Sequence, residues 1–206
     1  MRKIKFVLGS LAVVAMLATV SCNKDEDTTP PPPPPEPTAG TVVVNELMTK
    51  DTLGLVYTDP NGDFCDWSEF YNAGESDINI AGYFIGDDGK ETLEEDKYEI
   101  PGDDAIVTTI KSKSYLIVIW GAADASGADM EGIIDGKLFC PSSLSAKKDK
   151  AVAIWDAGGT FVDESEDFTA DGPFGKLEDG KSLGRKTDGN EEWMVFDIPT
   201  PNAENK

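Results

Sequence analysis

The strongest constraint in this sequence is a rhythm. Short apolar runs, rich in Val, Ile, Phe, Tyr and Trp, are broken every few residues by Gly, Asp, Asn or Pro. Runs of this length and composition suit strands, and no stretch of ten or more residues carries a convincing helical period. The expected strands are Thr41 to Met48, Trp67 to Tyr71, Ile78 to Ile85, Tyr98 to Ile100, Ile106 to Ile110, Tyr115 to Trp120, Ala151 to Trp155, Thr160 to Val162, Ser182 to Arg185 and Trp193 to Phe196. Tyr115 to Trp120 (YLIVIW) is almost wholly apolar, which predicts a central strand. Asp156-Ala157-Gly158-Gly159 predicts a hairpin turn, because its glycines take positive φ without penalty. Within Trp67 to Tyr71, alternation puts Trp67, Glu69 and Tyr71 on one face and Ser68 and Phe70 on the other. About nine or ten strands separated by turn signals, without an internal repeat, predict an all-β fold, an antiparallel β-sandwich.

Composition removes whole classes of function. The chain has 39 acidic residues, 18 basic ones and no histidine, a net charge of −21. Without histidine there is no Ser-His-Asp or Cys-His nucleophile pair and no imidazole zinc site. So large a negative charge argues against nucleic acid as a partner, since affinity for a polyanion comes from Lys and Arg on phosphates. An anionic membrane surface would also repel the chain unless it were tethered there.

A tether is written at the start. Met1-Arg2-Lys3-Ile4-Lys5 is basic, and Phe6 to Val20 is apolar but short for a membrane span, which predicts a signal peptide over residues 1–21. Ser21 before Cys22 resembles a bacterial lipoprotein box, which implies acylation of Cys22 after cleavage. Asn23-Lys24-Asp25-Glu26-Asp27 resembles the export tag of outer-surface lipoproteins of Bacteroidetes type. The resemblance implies a cell outer membrane location, lipid-anchored and facing outward, with the membrane as first partner. Removing residues 1–21 takes away three cations, Arg2, Lys3 and Lys5, and no acid, so the mature chain carries −24. Pro30 through Pro35 and Pro37 favour an extended polyproline form of roughly 25 Å, which makes residues 22–40 an anchor, tag and stalk. Residues 41–206 are enough for one domain with its own core.

An ordered set of motifs in that domain resembles the lamin-tail family. The first are Val43-Val44-Asn45-Glu46-Leu47, Asp66-Trp67-Ser68-Glu69-Phe70-Tyr71-Asn72, and Ile78 to Ile85 with Gly82 inside it. Later come Ala151 to Asp156, Phe161-Val162-Asp163, Ser182-Leu183-Gly184-Arg185, Asp188-Gly189, Trp193 and Thr200-Pro201-Asn202 with Asn205. The resemblance implies an immunoglobulin-like β-sandwich whose motif residues have structural work. Trp67 and Tyr71 are expected on the buried face, and Asn72 with Gly74 in the following turn. Glu46 and Glu69 lie in strands, where a charge is costly unless paired or turned outward. Arg185 is the expected partner for one of them.

Four further readings concern chemistry. Asp59, Asn61, Asp63 and Asp66 put four oxygen-bearing side chains within eight residues, raw material for Ca2+, though without the helix-flanked loop's glycine and glutamate positions. A polar loop entering the Trp67 strand accounts for them equally well. Cys65 and Cys140 are either one disulfide of an exported protein or two separate thiols buried as small apolar groups. Trp67, Trp120, Trp155 and Trp193 raise a glycan platform; Trp67 and Trp193 sit at motif positions expected in the core, and one of Trp120 and Trp155, at strand ends, is the candidate for exposure. Two convergent, desolvated carboxylates would instead favour a hydrolase. Motifs for nucleotide binding or CxxC redox chemistry are absent, and Asp51-Thr52-Leu53 is the nearest approach to an aspartic-protease triplet. The expectation is a non-enzymatic module for interaction, adhesion or scaffolding with a protein or glycan partner, requiring no cofactor unless Ca2+. A carbohydrate-binding accessory is the first alternative.

Overall fold

The computed structural model describes residues 42–206; Cys22, the acidic tag and the proline stalk lie outside the described residues. The fold is all-β. Strands β1 (Val42–Met48), β2 (Asp66–Asn72), β3 (Ile78–Asn79), β4 (Phe84–Gly86) and β5 (Tyr98–Glu99) precede a four-residue helix, α1 (Ala105–Thr108). Then follow β6 (Thr109–Ile110), β7 (Tyr115–Trp120), β8 (Gly132–Ile134), β9 (Lys137–Cys140), β10 (Ala153–Trp155), β11 (Phe161–Glu164), β12 (Ser182–Arg185) and β13 (Trp193–Phe196). No helix among the described residues is long and apolar enough to cross a membrane.

A seven-stranded sheet runs in the order β13-β12-β1-β2-β7-β9-β8, a four-stranded sheet in the order β11-β10-β4-β5, and β3 pairs with β6. Val44, Phe70, Val118 and Leu183 of the large sheet share one core with Ile85 and Ile154 of the smaller one. Fully burying a side chain such as Phe70 contributes roughly 1.5–3 kcal/mol. The YLIVIW strand is central, as its composition requires, with β2 on one side and β9 on the other.

Three segments depart from the expected pattern. The run Ile78 to Ile85 is two strands in two sheets. Asn79 Oδ1 accepts from Ala81 N at 2.9 Å, and Gly82 takes φ +76°, so the chain turns where a continuous strand would run. Ile106 to Ile110 begins as α1, because Asp104 Oδ1 accepts from Ile106 N and Val107 N and nucleates a helical turn. The hairpin β8–β9 lies in a segment assigned no strand. Its turn, Asp135-Gly136 at φ 50° and 73°, is the left-handed pair that a two-residue hairpin demands. Because β9 inserts between β7 and its own hairpin partner, β7 and β9 run parallel, and the sheet is mixed where pure antiparallel pairing was expected. The Asp156-Ala157-Gly158-Gly159 turn does join β10 to β11, with Asp156 Oδ1 accepting from Gly158 N and Thr160 N.

Both faces of β2 are buried. Ser68 and Phe70 face the shared core, as alternation predicts, while Trp67 and Glu69 face the far side of the sheet and are just as inaccessible. That far side carries its own small apolar cluster, Cys65, Ile119, Ala122, Met130 and Phe139, roofed by Val56 and Tyr57. Elsewhere it is covered by the C-terminal segment.

Candidate functional site

The family-like motif residues converge on the far face of the large sheet, around a bulge. Val44 pairs with Phe70 and Glu46 with Glu69, so Asn45 is an extra residue in β1. The bulge sets Asn45 beside Glu46 and faces Glu46 directly across the ladder to Glu69. Both carboxylates are fully buried. Donors arrive from three directions. Ser182 Oγ donates to Glu46 Oε1, while Thr200 N and Thr200 Oγ1 donate to the same carboxylate at 3.1 and 2.9 Å. Asn45 Nδ2 donates to Glu69 Oε1 at 2.9 Å, and Asn202 N to Glu69 Oε2 at 2.6 Å. Asp188 accepts from Asn45 Nδ2, Asn205 N and Tyr115 Oη. Asn205 Nδ2 reaches Arg185 O at 2.7 Å, and its Oδ1 lies 2.8 Å from Thr200 Oγ1, whose single proton is shared between this oxygen and Glu46. The seam is thus closed by the last turn of the chain, residues 200–205. Gly184 is the tight point: a β-carbon there would meet Glu46 Cγ at 3.0 Å and Asn205 Nδ2 at 3.2 Å.

Arg185 does not pair with Glu46 or Glu69. In β12, Ser182 and Gly184 face the seam, so Arg185 projects from the opposite side with Leu183, toward the smaller sheet. There Arg185 meets Asp163 of β11 at 2.7 Å. The pair repairs the bulge. Arg185 Nε donates to Val44 O at 2.7 Å, and Asp163 Oδ2 accepts from Val44 N at 2.8 Å, satisfying both backbone groups of a residue with no β12 partner. The guanidinium also donates to Asn190 O and lies over Trp193, 4.9 Å from its ring centre. Of the remaining motif residues, Tyr71 lies against Tyr115. Asn72 shapes its turn through Ser76 O, Ile110 O and Gly74 N.

Burial pushes the Glu46 carboxyl up and drives Glu69 to about 8. These are two convergent, desolvated carboxylates, yet every oxygen is engaged by a structural donor and the C-terminal segment covers both.

A second acidic concentration sits in a cleft of about 520 Å3 lined by Asp87, Asp88, Glu95, Asp96 and Asp149 together with Lys97, Lys148 and Tyr98. Here donors are scarce. Asp88 Oδ1 is buried without a hydrogen bond. Burial, then the Asp87 and Asp88 charges, raises Asp149 to about 6 despite a bond from Ser145 N. Burial likewise raises Asp66 to about 8, with Asp51 and Asp149 adding to the rise and the backbone at Leu144 opposing it.

The four residues weighed for Ca2+ do not form a ligand set. Asp59 is buried, and burial pushes its carboxyl up, but N–H groups of Asp63, Asn61 and Ala123 outweigh that and hold it below its ordinary value. Its oxygens are spent on the loop's own turn. Asn61 Nδ2 turns away to Asp124 O, and Asp66 enters the Asp51–Asp149 field instead. Among the described residues, no group of three or more His, Cys, Asp or Glu is arranged to hold a metal ion.

Cys65 and Cys140 are two free buried thiols, not a disulfide. Cys140 faces the shared core and Cys65 the far-face cluster, so their side chains diverge. Asp66 pairs with Trp120 and Trp120 with Cys140, which puts two strand spacings, roughly 10 Å, between the neighbour of Cys65 and Cys140. Burial raises the thiols to about 11 and about 12. The tryptophans offer no glycan platform. Trp67, Trp120 and Trp155 are buried, with Lys97 over the Trp155 ring at 4.4 Å, and Trp193 is half-buried beneath Arg185.

Asp163, Asp188, Ser182 and Thr200 complete the seam and its repair without having been singled out as site residues. Asp163, like Glu46, is a charge inside a strand, and the Asp188-Gly189 pair is a turn signal. No protein-family model matches the chain, and no curated protein matches its sequence.

Proposed function

We propose that the chain is an outer-surface lipoprotein whose residues 41–206 form an immunoglobulin-like sandwich of lamin-tail type with a non-enzymatic interaction or adhesion role. Residues 1–21 direct export, Cys22 carries the acyl chains, and residues 23–40 tag the molecule for the outer face of the outer membrane and hold the domain away from it. One observation carries the reading of the domain. Asn45, Glu46, Glu69, Asn72 and Arg185, the polar residues that most resemble the family, are consumed by internal bonds that shape the sheet. Such residues are architectural, and a domain whose buried polar groups serve its own frame displays its surface. The covered Glu46–Glu69 pair gives a hydrolase reading no substrate path, and burial of three tryptophans takes away the feature that suggested a glycan accessory.

The test is on intact cells. The full chain should incorporate an alkyne fatty acid, Cys22→Ala should not, and added protease should strip the wild-type domain from the cell surface. Persistent labelling of Cys22→Ala, or a domain that protease cannot reach, overturns the proposal.

A further inference from the structure

We propose that the free edge of β13 is a docking surface for an extended, cationic segment of a partner protein, which adds to the large sheet as an eighth strand. The inference deepens the interaction reading by giving it a surface, and it rests on that reading.

The backbone supplies the first observation. Lys186 N donates to Glu192 O at 2.7 Å, and β12 pairs with β13 in unbroken register, Gly184 with Met194 and Ser182 with Phe196. Antiparallel pairs alternate between bonded and non-bonded. Met194 and Phe196 therefore share the parity of Glu192 and bond inward to β12, whereas the N–H and C=O groups of Trp193 and Val195 point out of the sheet. Among the described residues nothing bonds those outward groups.

Sequence supplies the second. The other edges of the two larger sheets carry protection against strand addition. The edge strand β8 opens on Gly132 at φ 87° and has three residues; β5 has two, one of them Glu99. On β11, Asp163 and Glu164 are charged and held by Arg185 and Lys90. The strand β13 is Trp-Met-Val-Phe, without charge, proline or bulge. Met194 is 36% exposed at this edge, and Ile198, just beyond it, is 80% exposed.

Charge selects the occupant. Glu191 and Glu192 stand at one end of β13 and Asp197 at the other, all exposed; Lys186 pairs with Glu192 and Lys181 with Asp197, so Glu191 and the chain's net charge of −21 set the sign of this edge. A second copy would bring the same charges against these, so self-pairing is opposed over the whole surface. A strand with apolar residues at alternate positions and Lys or Arg at both ends meets the edge bonds, Met194 and the flanking carboxylates together.

The experiment uses the full chain with Cys22→Ala, to keep it unacylated, and the synthetic peptide acetyl-Lys-Lys-Val-Thr-Val-Thr-Val-Lys-Lys-amide, followed by amide NMR and hydrogen exchange. The Trp193 and Val195 amides should shift and gain protection, with affinity falling about tenfold between low and high salt. Val195→Pro removes one outward N–H while leaving the β12 bonds intact, and should weaken binding about fivefold to tenfold. If that variant unfolds, Met194→Lys serves, since it adds a repelling charge to an exposed position; it too should weaken binding. A peptide with Glu for Lys should not bind. Perturbation away from β13, equal binding of the two peptides, unchanged affinity in the folded variants, or a peptide-independent dimer through β13 would each overturn the proposal. Loss of peptide docking alongside intact acylation and surface display condemns the edge alone; failed acylation with docking intact condemns the display reading alone.

Discussion

The polar seam and the acidic cleft hold carboxylates in opposite ways: Glu46 and Glu69 are fully buried in the seam, whereas Asp87, Asp88 and Asp149 are half-buried in the cleft. In the seam, Glu46, Glu69 and Asp188 receive hydroxyl, amide and backbone donors on every carboxylate. In the cleft, Asp87, Asp88 and Asp149 repel one another with few donors, Ser142 for Asp87 and Ser145 for Asp149, and a buried oxygen of Asp88 has no donor at all. Burial raises carboxyl groups in both places, so desolvation does not distinguish them. Donor supply does. A buried carboxylate with its bonds made is a structural joint, and one without them is a source of instability.

The largest expected effect comes from the cation that repairs the bulge. Arg185→Ala leaves the half-buried Asp163 without its cation and Val44 O without its donor, and should cost about 3–5 kcal/mol in chemical denaturation. Arg185→Lys should recover only part of this, because an ammonium cannot fork between Val44 O, Asn190 O and Asp163. Next is the seam itself. Glu69→Ala leaves one Asn45 amide hydrogen and the Asn202 N–H without an acceptor and should cost about 2–4 kcal/mol, with Glu69→Gln costing about 1–2 because its own amide confronts one of those donors. Asp149 of the cleft and Asp66, which feels its charge, should respond with the opposite sign. Asp66→Asn and Asp149→Asn keep an oxygen to accept from Leu144 and Ser145 while removing a crowded charge, and at pH 8 each should stabilise by roughly 1 kcal/mol. Destabilisation by both would erase the distinction between the two regions.

The pH profile sharpens the comparison further. Glu69 has an ordinary value of 4.5 and is raised to about 8 in the fold; Asp66 rises from 3.8 to about 8 and Asp149 from 3.8 to about 6. Between the ordinary and raised values the folded state binds more protons than the unfolded one, so unfolding free energy falls as pH rises. The stability from these groups should be fully present only below about pH 3.5 and largely lost by about pH 8, with Asp66→Asn flattening the descent. A profile that climbs from pH 5 to 8 would contradict this. The smallest effect concerns the thiols: reductant should leave the denaturation midpoint unchanged, and iodoacetamide at pH 8 should label neither Cys65 nor Cys140 until the chain unfolds.

Much of the scaffold was legible. Runs of β-branched and aromatic residues located β1, β2, β7, β12 and β13 to within a residue or two, because a strand's period is a local property. The misses came where a single polar residue overrode the apolar pattern: Asp104 capping a helical turn, Asn79 and Gly82 breaking one run into two strands, Asp135-Gly136 turning a hairpin that its apolar flanks understated. The site was half legible. Motif residues were marked as structural, but Arg185 was matched to the wrong acids, since one extra residue in β1 decides which side chains lie across from each other.

By itself the sequence determined the class of fold, the acidic surface, the absence of imidazole chemistry and the positions at which a strand would have to bury charge, all of which follow from residue type and short-range order. Only the tertiary structure decided which donors those charges received. Ser182, Thr200 and Asn202 reach Glu46 and Glu69 from more than a hundred residues away, and pairing over that distance is set by how strands register and how residues 200–205 fold back.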